Sequence, residues 1–534
     1  LVLMNGKPMA EMVAGNVDFS QLPVSNVERI EYIRGPRAAI YGSKAIGGVV
    51  NIITTSEVNT AQVGVTTGSN DYYAADLSIN QWVTDATRLQ LSTGYRETRG
   101  YDVRPLLLGG NSDRDGFRGR NLTLGAEHHL NNNWILDANV VTWDGLTEFD
   151  NEWAGDWNDN VSQKTGYQVD AGARYGDDQL NGQLSASYGE SELKSWNSDA
   201  GKNSPYKTKM ATSITQLSGL AQYHYSENGY ALAGMDWQQE RILSKSRYQD
   251  WSNFPPAVSA FDAPSRDNTG VYASVFQTWS PVSLELTGRA DDNEQFGTHG
   301  TWQSALSIQL PARHKATVSY GTAFKAPNLT QLYGPVSWGG NPELQPEKSK
   351  NWELGFAGDY DIFDWQLNVY RNEIENLIIP KDPIAWDYQL VNSLGNEDAL
   401  IKGVEFVVKA TTGLVHHTAS YEYIDAEDRG ELRKGKQLLN RAKRKFTWTG
   451  DVDVGQTNLF AQVLYVGDRL SYKSATEDEF MPSYTIWNIG ARYPLTSNLT
   501  LNGKVNNLFD KDYQVVSGYD APGMEFYIGA DYRF

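Results

Sequence analysis

The stretch "GYDVRPLLLGGNSDRDGFRG", residues 100–119, gathers Asp102, Asp113 and Asp115 around a run of leucines and a pair of glycines. Oxygen ligands at alternate positions suit a hard cation, and Asn111, Asp113 and Asp115 followed by Gly116 copy the first half of a helix-loop-helix calcium hand. The copy stops there. The last position of that frame is Leu122, where the hand needs a bidentate glutamate, so the motif is rejected. Carboxylates a few ångströms apart in water repel by only about 1 kcal/mol per pair, and a solvated loop holds them without a metal. On these residues alone a solvated loop is the commoner outcome. A calcium site needs a second acidic segment to bring the ligands to about six to eight oxygens. Residues 148–160, "EFDNEWAGDWNDN", offer Asp150, Glu152, Asp156 and Asp159 among Phe149, Trp153 and Trp157, a composition that also suits a surface loop at a membrane interface.

Other chemical motifs fail on context. "GELRKGKQ", residues 430–437, fits a phosphate loop until Gln437 replaces the magnesium-binding hydroxyl. His128-His129 and His416-His417 lie in strand-like pattern, where neighbouring side chains point to opposite faces and cannot share an ion. The sequence holds neither a G-x-S-x-G elbow nor an H-E-x-x-H pair, and catalysis is not expected.

The elements that carry the acidic segments are strands. In "VSLELTGRA", Val282, Leu284, Leu286, Gly288 and Ala290 share one face while Ser283, Glu285, Thr287 and Arg289 share the other. The same period of two recurs in Ala316, Val318 and Tyr320, in Trp365, Leu367 and Val369, and in Leu499, Leu501 and Val505. The final segment, "MEFYIGADYRF", alternates Phe526, Ile528, Ala530, Tyr532 and Phe534 with polar residues and small ones. An exposed edge of that kind would invite aggregation, whereas closing the sheet into a barrel removes the edge.

Composition agrees. The 534 residues carry 65 acidic against 46 basic side chains, a net charge of -19, and no cysteine, which argues against nucleic acid as a partner and excludes disulfides. The chain is 12% aromatic, yet its mean hydropathy is -0.51, and no apolar run reaches the length of a membrane helix. A transmembrane barrel reconciles these numbers, because lumen-facing residues are polar and aromatic girdles mark both interfaces. Allowing some 20 to 22 residues per strand and connection predicts about 22 antiparallel strands, a lumen wide enough to need a plug. The first 57 residues, punctuated by Gly35, Pro36, Gly42, Gly47 and Gly48, read as a compact, turn-rich α/β unit. The opening "LVLMNGKPM" reads as a strand, and the chain is expected to start in the middle of that unit.

The glycine-punctuated segment resembles the plug signature of TonB-dependent outer-membrane receptors, R-I-E-x-I-R-G-P followed by Y-G-x-x-A-x-G-G-x-x-N-I, from Arg29 to Ile52. The blocks "YGTAFKAPNLTQLYG" (320–334), "NPELQPEKSKNWE" (341–353) and "NLFDKDY" (507–513) extend the likeness along the chain. "ADDNEQFGTHGTW" (290–302) and the overall spacing resemble the cobalamin-receptor branch.

The resemblance implies the C-terminal part of a plug over residues 1–57 and a barrel over 58–534, in the bacterial outer membrane. It implies TonB-driven uptake of cobalamin, with a siderophore or haem receptor of the same architecture as the alternative. It implies a pair of calcium ions held by Asp102, Asn111, Asp113, Asp115, Asp150 and Asp159; ungapped counting places Asn160 where Asp159 is named, so either fits. Asp113 and Asp115 are the expected mainstays of substrate capture. Substrate contacts are implied at Val13 and Ala14 in the plug apex and at Asn440 and Tyr472 in the loops, although the Asn440-Arg441 pair departs from the two arginines of that branch. Arg34 is implied to lock the plug to wall residues Glu353 and Glu405. The implied partners are TonB, the corrinoid, lipopolysaccharide and lipid around a monomer, and bacteriocins or phage that exploit the loops.

Overall fold

A computed structural model describes the chain apart from residues 10–16, 18, 20–26, 36–37, 55–57, 105–112, 151–158, 198–207, 251–256, 261–263, 335–339, 381–393, 432 and 473–476. Strands dominate because the alternating pattern recurs from Thr60 to the C-terminus. They pair antiparallel around a closed ring. Closure is made by the last strand, Glu525–Arg533, against the first, Thr60–Gly68, in a register running from Tyr527 opposite Gly68 to Arg533 opposite Gln62. Among the described residues the wall has 22 long strands, as the alternation predicts. A short hairpin, Arg247–Asp250 with Ala257–Ala260, is inserted at the rim where Gly229–Ile242 pairs directly with Ser265–Trp279. No helix is long and apolar enough to cross a membrane among the described residues.

The wall is inverted relative to a soluble sheet. Along Val282–Asn293, Leu286, Gly288 and Ala290 are exposed, whereas Thr287, Arg289, Asp291 and Asn293 are buried. Phe526, Ile528 and Phe534 stand exposed on the closing strand. Burial of polar side chains and exposure of large apolar ones is the arrangement that a lipid surround stabilises. Connections alternate around the ring: short turns such as 130–133 and 177–179 at one end, and long ones such as 99–116, 467–483 and 507–524 at the other. In outer-membrane barrels the short turns face the periplasm and the long loops face outward.

Inside the ring sits a four-stranded sheet in the order Lys7–Pro8, Val2–Met4, Gly48–Ile53, Arg29–Arg34. Val2–Met4 runs parallel to Gly48–Ile53, and the other pairings are antiparallel. Leu3, Ala45 and Val49 are packed with Ile33 on one side, while Met4, Met9 and Ile52 pack onto Val141 and Trp143 of the wall. Gly48 has φ +131°, and a side chain there would strike the Ile33 carbonyl, so this position requires glycine.

Candidate functional site

Two wall strands carry the acidic residues to the outer rim. Thr87–Thr98 runs up to the loop holding Asp102 and Asp115, and Trp134–Asp150 ends on Asp150. The two ends of the loop are pinned to each other: the Asp115 N–H donates to the Tyr101 carbonyl at 3.1 Å, and the Val103 N–H donates to the Asp115 carboxylate at 3.1 Å. Gly100, at φ +64°, makes the approach feasible, since any side chain there would overlap the Asp115 carbonyl. Glu148 ties the next strand in by accepting from the Gly116 N–H at 3.0 Å.

The result is convergence. One carboxylate oxygen each from Asp102, Asp115 and Asp150 lies within 4.8 Å of the others, all half-buried. Burial, followed by the neighbouring charges of Asp150, Asp102 and Glu148, pushes the Asp115 carboxyl up to about 6. Such a donor set, all oxygen and strongly anionic, fits a hard dication.

Asp113, half-buried two residues before Asp115, lies outside that trio. Asp159 stands directly opposite Asp150 in the strand register, which puts Asp159 rather than Asn160 on its face; the Asp159 side chain falls outside the described residues, as does Asn111. Val13 and Ala14 also lie outside them. Asn440, exposed at φ +57°, donates its N–H to the Leu470 carbonyl at 2.7 Å. This bond fastens it to the rim hairpin Arg469–Tyr472 with Asp478–Met481, two residues from Tyr472, whose side chain is not described.

Deeper in the lumen, Arg34 of the plug is ion-paired with Glu405 of Leu394–Thr412. Glu353 stands beside Gly35: a β-carbon on that glycine would sit 3.6 Å from a Glu353 oxygen. The two glutamates therefore flank the plug signature, with Glu405 as the direct partner of Arg34. Sequence reading passed over three further clusters. Lys44 of the plug and Arg266 of the wall both bind Glu240, at 2.7 and 2.8 Å. Lys7 pairs with Asp137. Arg289, fully buried, holds Asp236 and Asp291 in a fork of contacts at 2.7 to 2.8 Å. The only advance signal was charge on lumen-facing strand positions, which does not specify partners. The paired histidines make separate local contacts, His416 to Thr411 and His417 to Thr412.

A lumen-spanning sheet locked by charge to a closed 22-strand wall defines a plugged outer-membrane receptor. The model "TonB dependent receptor-like, beta-barrel" matches residues 54–508, and "TonB-dependent Receptor Plug Domain" matches residues 1–49. The chain belongs to the TonB-dependent receptor family, a family of outer-membrane transport receptors rather than enzymes. Among solved structures it resembles the siderophore receptor PirA from Acinetobacter baumannii, at 20% identity and TM-score 0.83 over 100% of this chain and 90% of that one. It resembles a variant of the ferric enterobactin receptor PfeA from Pseudomonas aeruginosa, at 20% identity and TM-score 0.82 over 100% and 90%. The copper transporter OprC matches at 15% identity and TM-score 0.82 over 100% and 90%. None of these three is named for cobalamin, so the expected branch finds no support in them. At such identities the likeness carries the fold.

Proposed function

We propose that this receptor takes up a corrinoid, cobalamin, and that calcium bound by Asp102, Asp115 and Asp150 orders the two loops that capture it. The observation that carries the reading is the convergence of those three carboxylates at the outer rim, from segments far apart in sequence. When bound, a dication supplies the positive charge that three half-buried carboxylates lack, and cross-links the two loops. The chain's own residues do the rest. Asp115 fastens the loop through the Val103 amide, and Glu148 fastens it to the neighbouring strand. Asn440, held on the Leu470 carbonyl of the hairpin bearing Tyr472, would contact the substrate from the rim. The lock between Arg34 and Glu405 holds the plug closed until TonB draws on it.

A ferric siderophore is the second reading, favoured by the names of PirA and PfeA. Under it the acidic rim would have no calcium-dependent part in capture. Titrating the purified receptor with cyanocobalamin, in calcium and then in chelator, separates the two. Calcium-strengthened cobalamin binding is the expected result. Equal affinity in both conditions removes calcium from the proposal, and failure to bind cobalamin, together with binding of a ferric catecholate, replaces it with the second reading.

A further inference from the structure

Two cavities lie between plug and wall, one on each side of the same plug hairpin. The outward one, about 460 Å³, is walled by Gln238, Asn268 and Lys325 toward the long-loop end of the barrel. The inner one, about 910 Å³, is walled by Arg88, Glu127 and His129 near the short turns, which face the periplasm. Val2 and Pro8 line the first cavity, whereas Met4 and Lys7 line the second. Leu3 pairs with Pro8 and Met4 with Lys7, so this short hairpin stands between them. On the wall the two linings meet at adjacent strands. Gln183 of Leu180–Asn197 belongs to the inner cavity and Gln216 of Thr208–Ser226 to the outward one.

The hairpin is the shortest-laddered part of the plug sheet. It forms one edge among the described residues, and Val2–Met4 runs along Gly48–Ile53 over three residues. Arg29–Arg34, on the other flank, pairs with the same strand over six. The wall holds the hairpin instead. Lys7, which is buried, is ion-paired with Asp137. Asp137 lies against Gly172, its register partner on the next strand, where a β-carbon would stand 2.6 Å from a carboxylate oxygen. Gln168, also buried, donates to the Pro8 carbonyl at 3.1 Å and to Asp170 at 3.0 Å. A wall carboxylate and a wall carboxamide thus grip two consecutive residues of the plug.

The remaining attachment has a different character. Met4 and Met9 pack on Val141 and Trp143, an apolar contact without directional preference. The ion pair is directional, and its two members both line the inner cavity. Separating buried charges is costly where they stay dry, and here each is left beside a space that admits water. The grip is therefore firm when closed and releasable toward the periplasm.

We propose that the passage through this receptor opens along the hairpin Val2–Pro8, and that Lys7, gripped by Asp137, is the latch that keeps it shut. Displacing the hairpin joins the outward cavity to the inner one while Gly48–Ile53 and Arg29–Arg34 stay paired behind it. Lys7 and Gln168 are positioning residues, acting through the placement of the hairpin.

Current through the purified receptor in a planar lipid bilayer tests this with potassium chloride as the only probe, so the result is independent of whether the substrate is a corrinoid or a siderophore. Lys7→Glu sets a second carboxylate against Asp137 and should raise the mean current about tenfold or more over the wild type. Lys7→Met, which loses the charge and keeps the length, should give a smaller rise. The chain has no cysteine, so introduced thiols are unique. In the Lys7→Glu background, Pro8→Cys and Gln168→Cys joined by a short, reducible thiol cross-linker should return the current to the wild-type level, and reductant should release it. The same cross-linker between Tyr32→Cys and Val50→Cys, register partners on the far side of the sheet, should leave the current high. Wild-type current in both Lys7 variants, a Pro8–Gln168 bridge that fails to lower it, or closure by the Tyr32–Val50 bridge would each overturn the assignment.

Discussion

Arg104 reaches from the acidic loop to Tyr519. Its Nη1 donates to the phenol oxygen at 3.1 Å, and its guanidinium lies 4.5 Å from the centre of the ring. The Asp520 N–H donates to the Val103 carbonyl at 2.9 Å, so two rim loops are joined by side chain and backbone together. The second of these is joined in turn to the hairpin bearing Tyr472, where Arg469 donates through Nε to the Val515 carbonyl at 3.1 Å. Acidic trio, Tyr519 loop and Tyr472 hairpin form one connected rim.

Replacing Tyr519 with alanine should loosen that rim without touching a carboxylate. The hydrogen bond and the cation–π contact together contribute on the order of 1–2 kcal/mol, so amides of residues 101–104 should exchange about five- to thirtyfold faster. Hydrogen-exchange mass spectrometry gives the answer, and unchanged protection would show that the backbone bond between Asp520 and Val103 suffices.

Titration of Asp115 separates loop stability from metal affinity. Its folded value, about 6, lies above the ordinary aspartate value of about 4, so the folded loop holds the proton more tightly than the unfolded chain does. The metal-free loop should gain stability as pH falls from 7 toward 4, and lose it as pH rises through 6. Calcium needs the ionised form and should bind more weakly at pH 5 than at pH 7. Calorimetric titration at both pH values measures the second trend, and hydrogen exchange without metal measures the first. Asp115→Asn should flatten both trends and weaken calcium binding about tenfold or more.

Gly100→Ala tests the pinning of the loop itself. A β-carbon at φ +64° is strained, and it would overlap the Asp115 carbonyl. The loop ends should part at a cost of about 1–3 kcal/mol. Calcium affinity should fall although every carboxylate is retained, whereas Gly413→Ala, at φ +60° in a short turn with open space around it, should leave affinity unchanged.

Removing the plug's cation leaves Glu405 facing Glu353 without compensation. Arg34 keeps 28% of its side chain exposed and Glu405 13%, so Arg34→Ala should weaken plug docking by about 2–3 kcal/mol, less than the roughly 3–5 kcal/mol that breaking a fully buried pair costs. Limited proteolysis of the plug should accelerate accordingly, while the barrel's own unfolding temperature should change little.

The strands were legible because period-two alternation is a local property of the chain. Leu286, Gly288 and Ala290 share one face and Thr287 and Arg289 the other whatever the neighbouring strands do. The plug signature was legible for a similar reason, since glycines such as Gly48 mark local backbone conformations that only glycine adopts readily. Electrostatic partners were far less legible. Glu240 gathers Lys44 and Arg266, and Arg289 gathers Asp236 and Asp291, through contacts that alternation cannot specify.

What the chain determined by itself, then, was a closed β-wall with a plug and a supply of acidic residues at loop positions, because residue type and local period decide both. Which acids meet was decided only by the tertiary structure. Asp102, Asp115 and Asp150 converge while Asp113 stands outside the trio, since the pinning of the loop at Gly100 and the register of three strands set where each oxygen lies. Register and plug docking are long-range properties, and a shift of one residue in either would send the same side chains to opposite faces.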